Sequence, residues 1–129
     1  MSIYTFDYDS KYEPPAPIFE IIVSKTGQPT NEATLSALVD SGADATMLPI
    51  TALQSVEARY IETRQMRGIA GVAYPVDLYL ATIRVGFHTI PAVRVVAGAA
   101  QSEALIGRDV LNHLVVTLNG LAGVTEVSD

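Results

Sequence analysis

One carboxylate in this sequence follows an apolar run and sits on a turn of small residues. Residues 38–44 read LVDSGAD, so that Asp40 is followed directly by Ser41 and Gly42. A carboxylate held in such a place can transfer protons as a general acid or base. An aspartate at the end of a strand more often supports the turn through hydrogen bonds to its own backbone. On this tripeptide alone, the structural and the catalytic interpretations both stay open.

Two glycine-containing segments further along the chain also stand out. Residues 68–71 read GIAG and lie between two runs with strand character, which predicts the tip of a hairpin. Residues 104–108 read ALIGR, and an apolar run that ends at Gly107 predicts a corner from a strand into a helical turn. Each segment taken alone is an ordinary structural feature.

The residues that other kinds of catalytic site require are absent from the sequence. The chain has no cysteine, which excludes a disulfide framework, a thiolate nucleophile and a cysteine zinc site. The two histidines, His88 and His113, have no metal-ligand spacing, and the sequence contains no Gly-x-Ser-x-Gly or phosphate-binding glycine motif. We therefore expect no metal and no organic cofactor.

Length and charge narrow the class of protein. A chain of 129 residues with 49% hydrophobic and 17% charged residues is large enough to form one domain with a real core. The net charge of −6 argues against a nucleic-acid partner. No apolar run reaches the roughly 20 residues of a membrane span, and the N-terminus lacks the pattern of a signal peptide. We expect no membrane partner and a cytoplasmic location.

The elements that must position these motifs are mostly short strands. Residues 1–17 predict an extended arm that packs on its own domain, with exchange to a partner as the alternative, and residues 18–129 predict a single domain. The apolar run 37–39 predicts burial on both faces of its strand. Strand alternation without βαβ units predicts an all-β fold with one or two short helices. Strands are predicted at 18–23, 33–40, 61–67, 72–85, 90–96, 114–118 and 124–127, and helical turns after Pro49 and at 108–113.

Together and in this order, the three motifs resemble those of the retropepsin family of aspartic proteases. The resemblance covers roughly residues 18–118. Asp40-Ser41-Gly42-Ala43 is similar to the catalytic motif of the family, residues 68–71 to its flap, and residues 105–108 to the apolar-apolar-Gly motif before its helix. A long helical stretch after Pro49 and the C-terminal hairpin look closer to cellular and bacterial members than to viral ones. The implied fold is a closed β-barrel or sandwich with a flap hairpin.

The resemblance also implies a reaction, the hydrolysis of peptide bonds by an aspartic endopeptidase. One carboxylate must be ionised to take a proton from water, and another must be protonated to polarise the scissile carbonyl. The chain has one Asp-Ser-Gly motif. The resemblance therefore implies a symmetric homodimer with Asp40 of each chain at the two-fold axis. Its substrates would be proteins or extended peptides with hydrophobic residues around the scissile bond.

Roles for the neighbours of Asp40 follow from the same resemblance. The Ser41 hydroxyl, where threonine is commoner, would hydrogen-bond across the axis to the other chain. Gly42 would let the substrate backbone approach the loop closely. Asp44 and Arg108 match an ion pair of viral members that would brace the loop against the helix, and a contact of Asp44 with the substrate backbone is the secondary role.

The flap and the pockets complete the implied site. Gly68, Ile69, Ala70 and Gly71 would cover the substrate, with Ile69 at the tip and Ala70 where glycine is frequent. Apolar residues next to the motifs would either line pockets or belong to the core; these are Met47, Leu48 and Ile106. Motifs do not locate the dimer strands at the termini. The alternative function is a non-catalytic dimerisation or peptide-binding module with the same fold.

Overall fold

The structure, a computed structural model, describes residues 2–27, 30–68 and 70–129. These described residues form ten strands and two short helices. In chain order the elements are β1 (Ile3–Asp7), β2 (Ile18–Lys25), β3 (Glu32–Val39), β4 (Met47–Pro49), α1 (Ile50–Ser55), β5 (Arg59–Arg67), β6 (Ala73–Val85), β7 (His88–Gly98), β8 (Ala104–Ile106), α2 (Arg108–Leu111), β9 (Val115–Asn119) and β10 (Val124–Ser128).

Six strands close into a barrel. Their order is β2-β3-β8-β4-β7-β6, and β6 pairs again with β2, so the sheet returns to its first strand. Strand β5 pairs with β6 outside the closed ring and forms a long hairpin with it. Closure leaves the barrel strands without a free edge. The predicted all-β closed barrel with short helices is confirmed.

Alternating side chains of β2 fill the interior of the barrel. Phe19, Ile21 and Val23 are completely buried, whereas Glu20 between them is exposed, as the period of a strand requires. Burying each such apolar side chain contributes about 1.5–3 kcal/mol. The barrel is therefore a packed core, and its rim is where loops can carry chemistry.

A second sheet joins the two ends of the chain. It has the order β1-β10-β9, with Phe6 of β1 opposite Thr125 of β10. Phe6 is buried and its ring lies 5.6 Å from that of Phe19, so β1 packs on the barrel of its own chain. The division of the chain into an arm (1–17) and a domain (18–129) stays a prediction.

Two local expectations need correction. In β3 only Ala37 of the run 37–39 is buried, since Leu38 borders a surface groove and is half-exposed. The helical stretch after Pro49 is only six residues long, because Glu57 adopts a left-handed φ of 59° and β5 begins two residues later. The short strand β4 was not predicted.

No helix in the described part of the chain is long and apolar enough to span a membrane.

Candidate active site

Asp40 lies where the parallel strands β3 and β8 end side by side. Its backbone N–H donates to the Ile106 carbonyl at 3.0 Å, and this bond extends the β3–β8 ladder by one residue. The half-buried carboxylate accepts a hydrogen bond on Oδ1 from the Gly42 N–H at 3.0 Å. A Cβ at Gly42 would lie only 3.2 Å from that same oxygen. A side chain at position 42 would therefore crowd the Asp40 carboxylate in this orientation.

Arg108 connects the loop to α2. Its Nη1 donates to the Ser41 carbonyl at 2.8 Å, and its Nη2 pairs with the Asp44 carboxylate. Its backbone N–H also donates to the Ala43 carbonyl at 2.9 Å. The structure thus brings together the Asp44 and Arg108 side chains named from the sequence. The Asp44 side chain is 83% exposed, so the ion pair itself stabilises the fold by at most about 1 kcal/mol.

Gly107 is required by close packing of backbone against backbone. A Cβ at this position would lie 2.7 Å from the Ala45 carbonyl carbon and 2.9 Å from the Ala43 carbonyl oxygen. Backbone atoms cannot move aside as a flexible side chain can. The glycine of the ALIGR segment therefore allows α2 to lie directly against the Asp40 loop.

The far end of the loop is held by a cluster of Thr46 and Asp109, which no sequence motif predicted. Thr46 is completely buried, and its hydroxyl donates to Asp109 Oδ1 at 2.7 Å. The Thr46 N–H lies 3.0 Å and 3.1 Å from the two carboxylate oxygens of Asp109. The Gly107 N–H donates in turn to the Thr46 hydroxyl at 3.1 Å. The sequence signal was a threonine in an apolar run and an acid in the first turn of α2.

A cavity of about 700 Å³ adjoins the loop and is the candidate substrate groove. On one side it is lined by Gly42, Asp44 and Met47, and on the other by Met66 and Tyr74 of the β5–β6 hairpin. Met47 thus lies at the groove, as one of its two readings allowed. Ile106 and Leu48 are completely buried in the core, which is the second of the two alternatives.

The segment predicted to be the flap connects β5 to β6 at the tip of the hairpin. The Gly68 N–H donates to the Val72 carbonyl at 3.0 Å, and the Gly71 N–H donates to the Gly68 carbonyl at 3.0 Å. Gly71 has a φ of 75°, which favours glycine. Ile69 lies outside the described residues, and Ala70 is exposed within the turn. The covering role of the segment stays a prediction.

No group of three or more acidic or histidine side chains in the described residues is arranged to hold a metal ion. His88 lies on β7, and His113 follows α2. The chemical groups that the site offers are thus the Asp40 carboxylate, the backbone of its loop and an apolar groove.

Comparison with protein families identifies the class of protein. A family model described as aspartyl protease matches residues 28–110, well over half of the chain, including the Asp40 loop, the flap segment and the Gly107 corner. The chain belongs to the aspartyl protease family. A search of curated proteins found no match.

Solved structures show which fold the chain shares. A retropepsin-like aspartic protease from Rickettsia conorii is 11% identical with a TM-score of 0.65, and the match covers 98% of this chain and 90% of that one. EIAV protease, in complex with the inhibitor HBY-793, is 20% identical with a TM-score of 0.57, over 76% of this chain and 86% of that one. The chain therefore belongs to the aspartyl protease family and has a retropepsin-like fold.

Proposed function

We propose that the protein is a homodimeric aspartic endopeptidase in which Asp40 of each chain supplies one carboxylate of the catalytic pair. The position of Asp40 is the observation that carries the proposal. Its carboxylate is held on Oδ1 by the Gly42 N–H, and Gly42 in turn lines the groove. Its second oxygen accepts no hydrogen bond from any described residue, and so it is free to bind water or a second carboxylate.

The need for a second chain follows from the other carboxylates near the loop. Asp44 is paired with Arg108, and both oxygens of Asp109 accept hydrogen bonds from Thr46. Neither forms a hydrogen bond with Asp40 within the described residues. Because the sequence contains one Asp-Ser-Gly motif, a second copy of the chain is the source we propose for the partner carboxylate.

Two carboxylates that share one proton can carry out the hydrolysis. The ionised carboxylate takes a proton from a water molecule, whose oxygen attacks the carbonyl carbon of the peptide. The protonated carboxylate donates to the carbonyl oxygen, which gains negative charge. When the C–N bond breaks, a proton passes to the leaving nitrogen, and the products are an acid and an amine. The exposed Ser41 hydroxyl is proposed to hydrogen-bond across the dimer axis and keep the two loops aligned.

The groove supports extended peptides with hydrophobic side chains as the substrates. Its apolar lining includes Met47, Met66, Val76 and Leu105. An extended peptide would form backbone hydrogen bonds with the hairpin and with the loop that begins at Asp40. We propose that the flap, residues 68–71, covers the bound peptide. A cytoplasmic location stays a prediction from the cysteine-free composition.

Digestion of a peptide library by the purified protein at several pH values tests this function. We expect cuts between hydrophobic residues, with a rate that passes through a maximum on the acidic side of neutrality because one carboxylate must be charged and one neutral. Asp40→Asn keeps the size of the side chain but removes the shared proton, so we expect it to abolish cleavage without a change in folding. If Asp40→Asn cleaves as fast as wild type, the assignment is wrong. Binding of peptides without any cleavage by wild type would favour the non-catalytic module.

A further inference from the structure

A second cavity continues the candidate groove beyond Asp44. It has a volume of about 500 Å³ and shares with the groove the walls formed by Asp44, Ala45, Met66, Val76 and Val96. Buried apolar side chains from β6 and β7 also line this outer cavity. Because the two cavities share a wall, a long substrate in the groove would reach the outer cavity with its end residues.

Two arginines line the outer cavity and share a single acidic partner. Arg64 of β5 donates through Nε to Glu62, and Arg94 of β7 donates through Nη2 to the same carboxylate at 3.3 Å. The hydrogen bond from Arg64 lowers the pKa of Glu62, which is therefore ionised near neutral pH. Two guanidinium groups against one carboxylate leave this cluster with one net positive charge.

Unused hydrogen-bond donors remain on both arginines. A guanidinium has five N–H donors in a planar fork. Each of these arginines uses one nitrogen for Glu62, and its other nitrogens donate to no described residue. The Arg64 side chain is 59% exposed and the Arg94 side chain 49% exposed. The free donors are accordingly accessible to a ligand.

The other titratable groups that line the outer cavity are Asp44, Asp109 and His113. Arg108 balances the charge of Asp44, whereas Asp109 keeps its negative charge and accepts hydrogen bonds from Thr46. The donors that remain for an incoming ligand are those of the two guanidinium groups, beside an apolar lining. A carboxylate matches the planar fork of a guanidinium through paired hydrogen bonds.

We propose that Arg64 and Arg94 form a specificity site that binds an acidic side chain near the end of the peptide substrate. The inference rests on the proposed endopeptidase function and adds a charge preference to it. An extended peptide rises about 3.3 Å per residue, and the loop from Asp40 to Asp44 separates the outer cavity from the reacting carboxylate. We place the acidic residue at the outer positions of the substrate, beyond those that fill the groove beside Asp44. In a symmetric dimer the preference applies at both ends of the substrate.

A matched pair of octapeptides tests the charge preference. Both have a central pair of leucine residues, and the two residues at each end are Glu in one peptide and Gln in the other. We expect wild type to cleave the Glu peptide with a kcat/KM about fivefold higher, the size of an exposed charge interaction. The preference should shrink as salt is added, since exposed charges are screened.

Variants assign the preference to the two arginines. The double substitution Arg64→Gln with Arg94→Gln should bring the Glu-to-Gln ratio of kcat/KM close to one. Glu62→Gln frees both guanidinium groups and should raise the ratio above that of wild type, a gain that damage to the fold would not produce. The control is Arg84→Gln, since Arg84 also pairs with an exposed acid, Glu32, but does not line this cavity. It should keep the wild-type ratio.

A binding assay separates failure of this inference from failure of the proposed function. Fluorescence anisotropy with labelled octapeptides and the Asp40→Asn protein measures the preference without hydrolysis. Tighter binding of the Glu peptide that is lost in the double variant supports the specificity site, even if wild type cleaves neither peptide. The inference would be overturned if wild type cleaved the two peptides equally and the Asp40→Asn protein bound them equally. Cleavage of both peptides in that case would still support the endopeptidase function.

Discussion

At the scale of single residues, the contacts around the Asp40 loop differ in what they contribute to stability. Asp109 accepts its hydrogen bonds from Thr46, which is completely buried. Arg108 instead binds an exposed carboxylate and the carbonyl of Ser41. Burial makes the loss of a hydrogen-bond partner costly, because water cannot replace it. We therefore infer that Asp109 stabilises the loop more than Arg108 does.

Urea denaturation of two alanine variants tests this ranking. Asp109→Ala leaves the buried Thr46 N–H and hydroxyl without acceptors, so we expect the free energy of unfolding to fall by about 1–3 kcal/mol. Arg108→Ala removes an exposed ion pair, and we expect a loss below about 1 kcal/mol. Asp7→Ala is the control, because the exposed Asp7 side chain forms no hydrogen bond with the described residues. A larger loss for Arg108→Ala than for Asp109→Ala would contradict the ranking.

The sequence identified residues of this site by type, but it could not supply their environments. Asp40, Asp44 and Arg108 were named from motifs, and the structure brings the last two together. Whether the ion pair is exposed depends on tertiary packing, which local spacing does not encode. Thr46 and Asp109 lie 63 positions apart in the chain and no motif joins them, so their contact required the fold.

At the scale of elements, the Asp40 loop and α2 are held at backbone contact by Gly107. The neighbouring atoms on the loop side are the backbone atoms of Ala43 and Ala45. A side chain at this position would push α2 away from the loop and displace the residues that follow it. The geometry of the candidate site thus depends on a residue that has no chemical group of its own.

Gly107→Ala tests this contact, with Gly120→Ala as the matched control. Overpacking of this kind costs about 1–3 kcal/mol, so we expect the free energy of unfolding in urea to fall by that amount. We also expect the rate of peptide cleavage to fall, because the Asp40 loop would be displaced. A Cβ at Gly120 would meet its nearest neighbour, the Tyr8 hydroxyl, at 4.0 Å, so the control should behave like wild type. Equal stability of the two variants would show that α2 is not packed in this way.

Strands were predictable where apolar and polar residues alternate along the chain and where distinctive turn residues separate two strands. The hairpin β5–β6 and the terminal hairpin β9–β10 were expected within a few residues of their observed bounds. The three-residue strand β4 was missed, because it is defined by its parallel pairing with β7 and not by a local pattern. Helix α1 ends early because Glu57 has a left-handed backbone conformation. The sequence did not predict this end, since the residues that usually adopt this conformation are glycine and asparagine.

At the scale of the whole molecule, the barrel carries one copy of the candidate catalytic loop at its rim. The strand pattern of the sequence predicted the all-β class, and the resemblance to retropepsins implied the closed barrel. Assembly could not be read in the same way, because no motif marks the surface that joins two chains. The requirement for a second Asp40 is the chemical argument for a dimer.

Specific activity is therefore expected to fall on dilution below the dissociation constant of the dimer. The measurement is cleavage per chain at the optimal pH over a wide dilution series, with sedimentation of the same samples. Activity should follow the fraction of dimer. Constant activity per chain where sedimentation finds only monomer would place the second carboxylate within the same chain.

A purified mixed dimer tests most directly the central claim that one active site needs Asp40 from both chains. Wild-type and Asp40→Asn chains with different affinity tags are co-expressed, and two successive affinity steps isolate dimers that contain one of each. A doubly tagged wild-type dimer is prepared in the same way for comparison. We expect the mixed dimer to form and to be inactive, because its single carboxylate cannot be both acid and base. A mixed dimer with half or more of the wild-type activity, or failure to capture any doubly tagged dimer from active protein, would contradict the account.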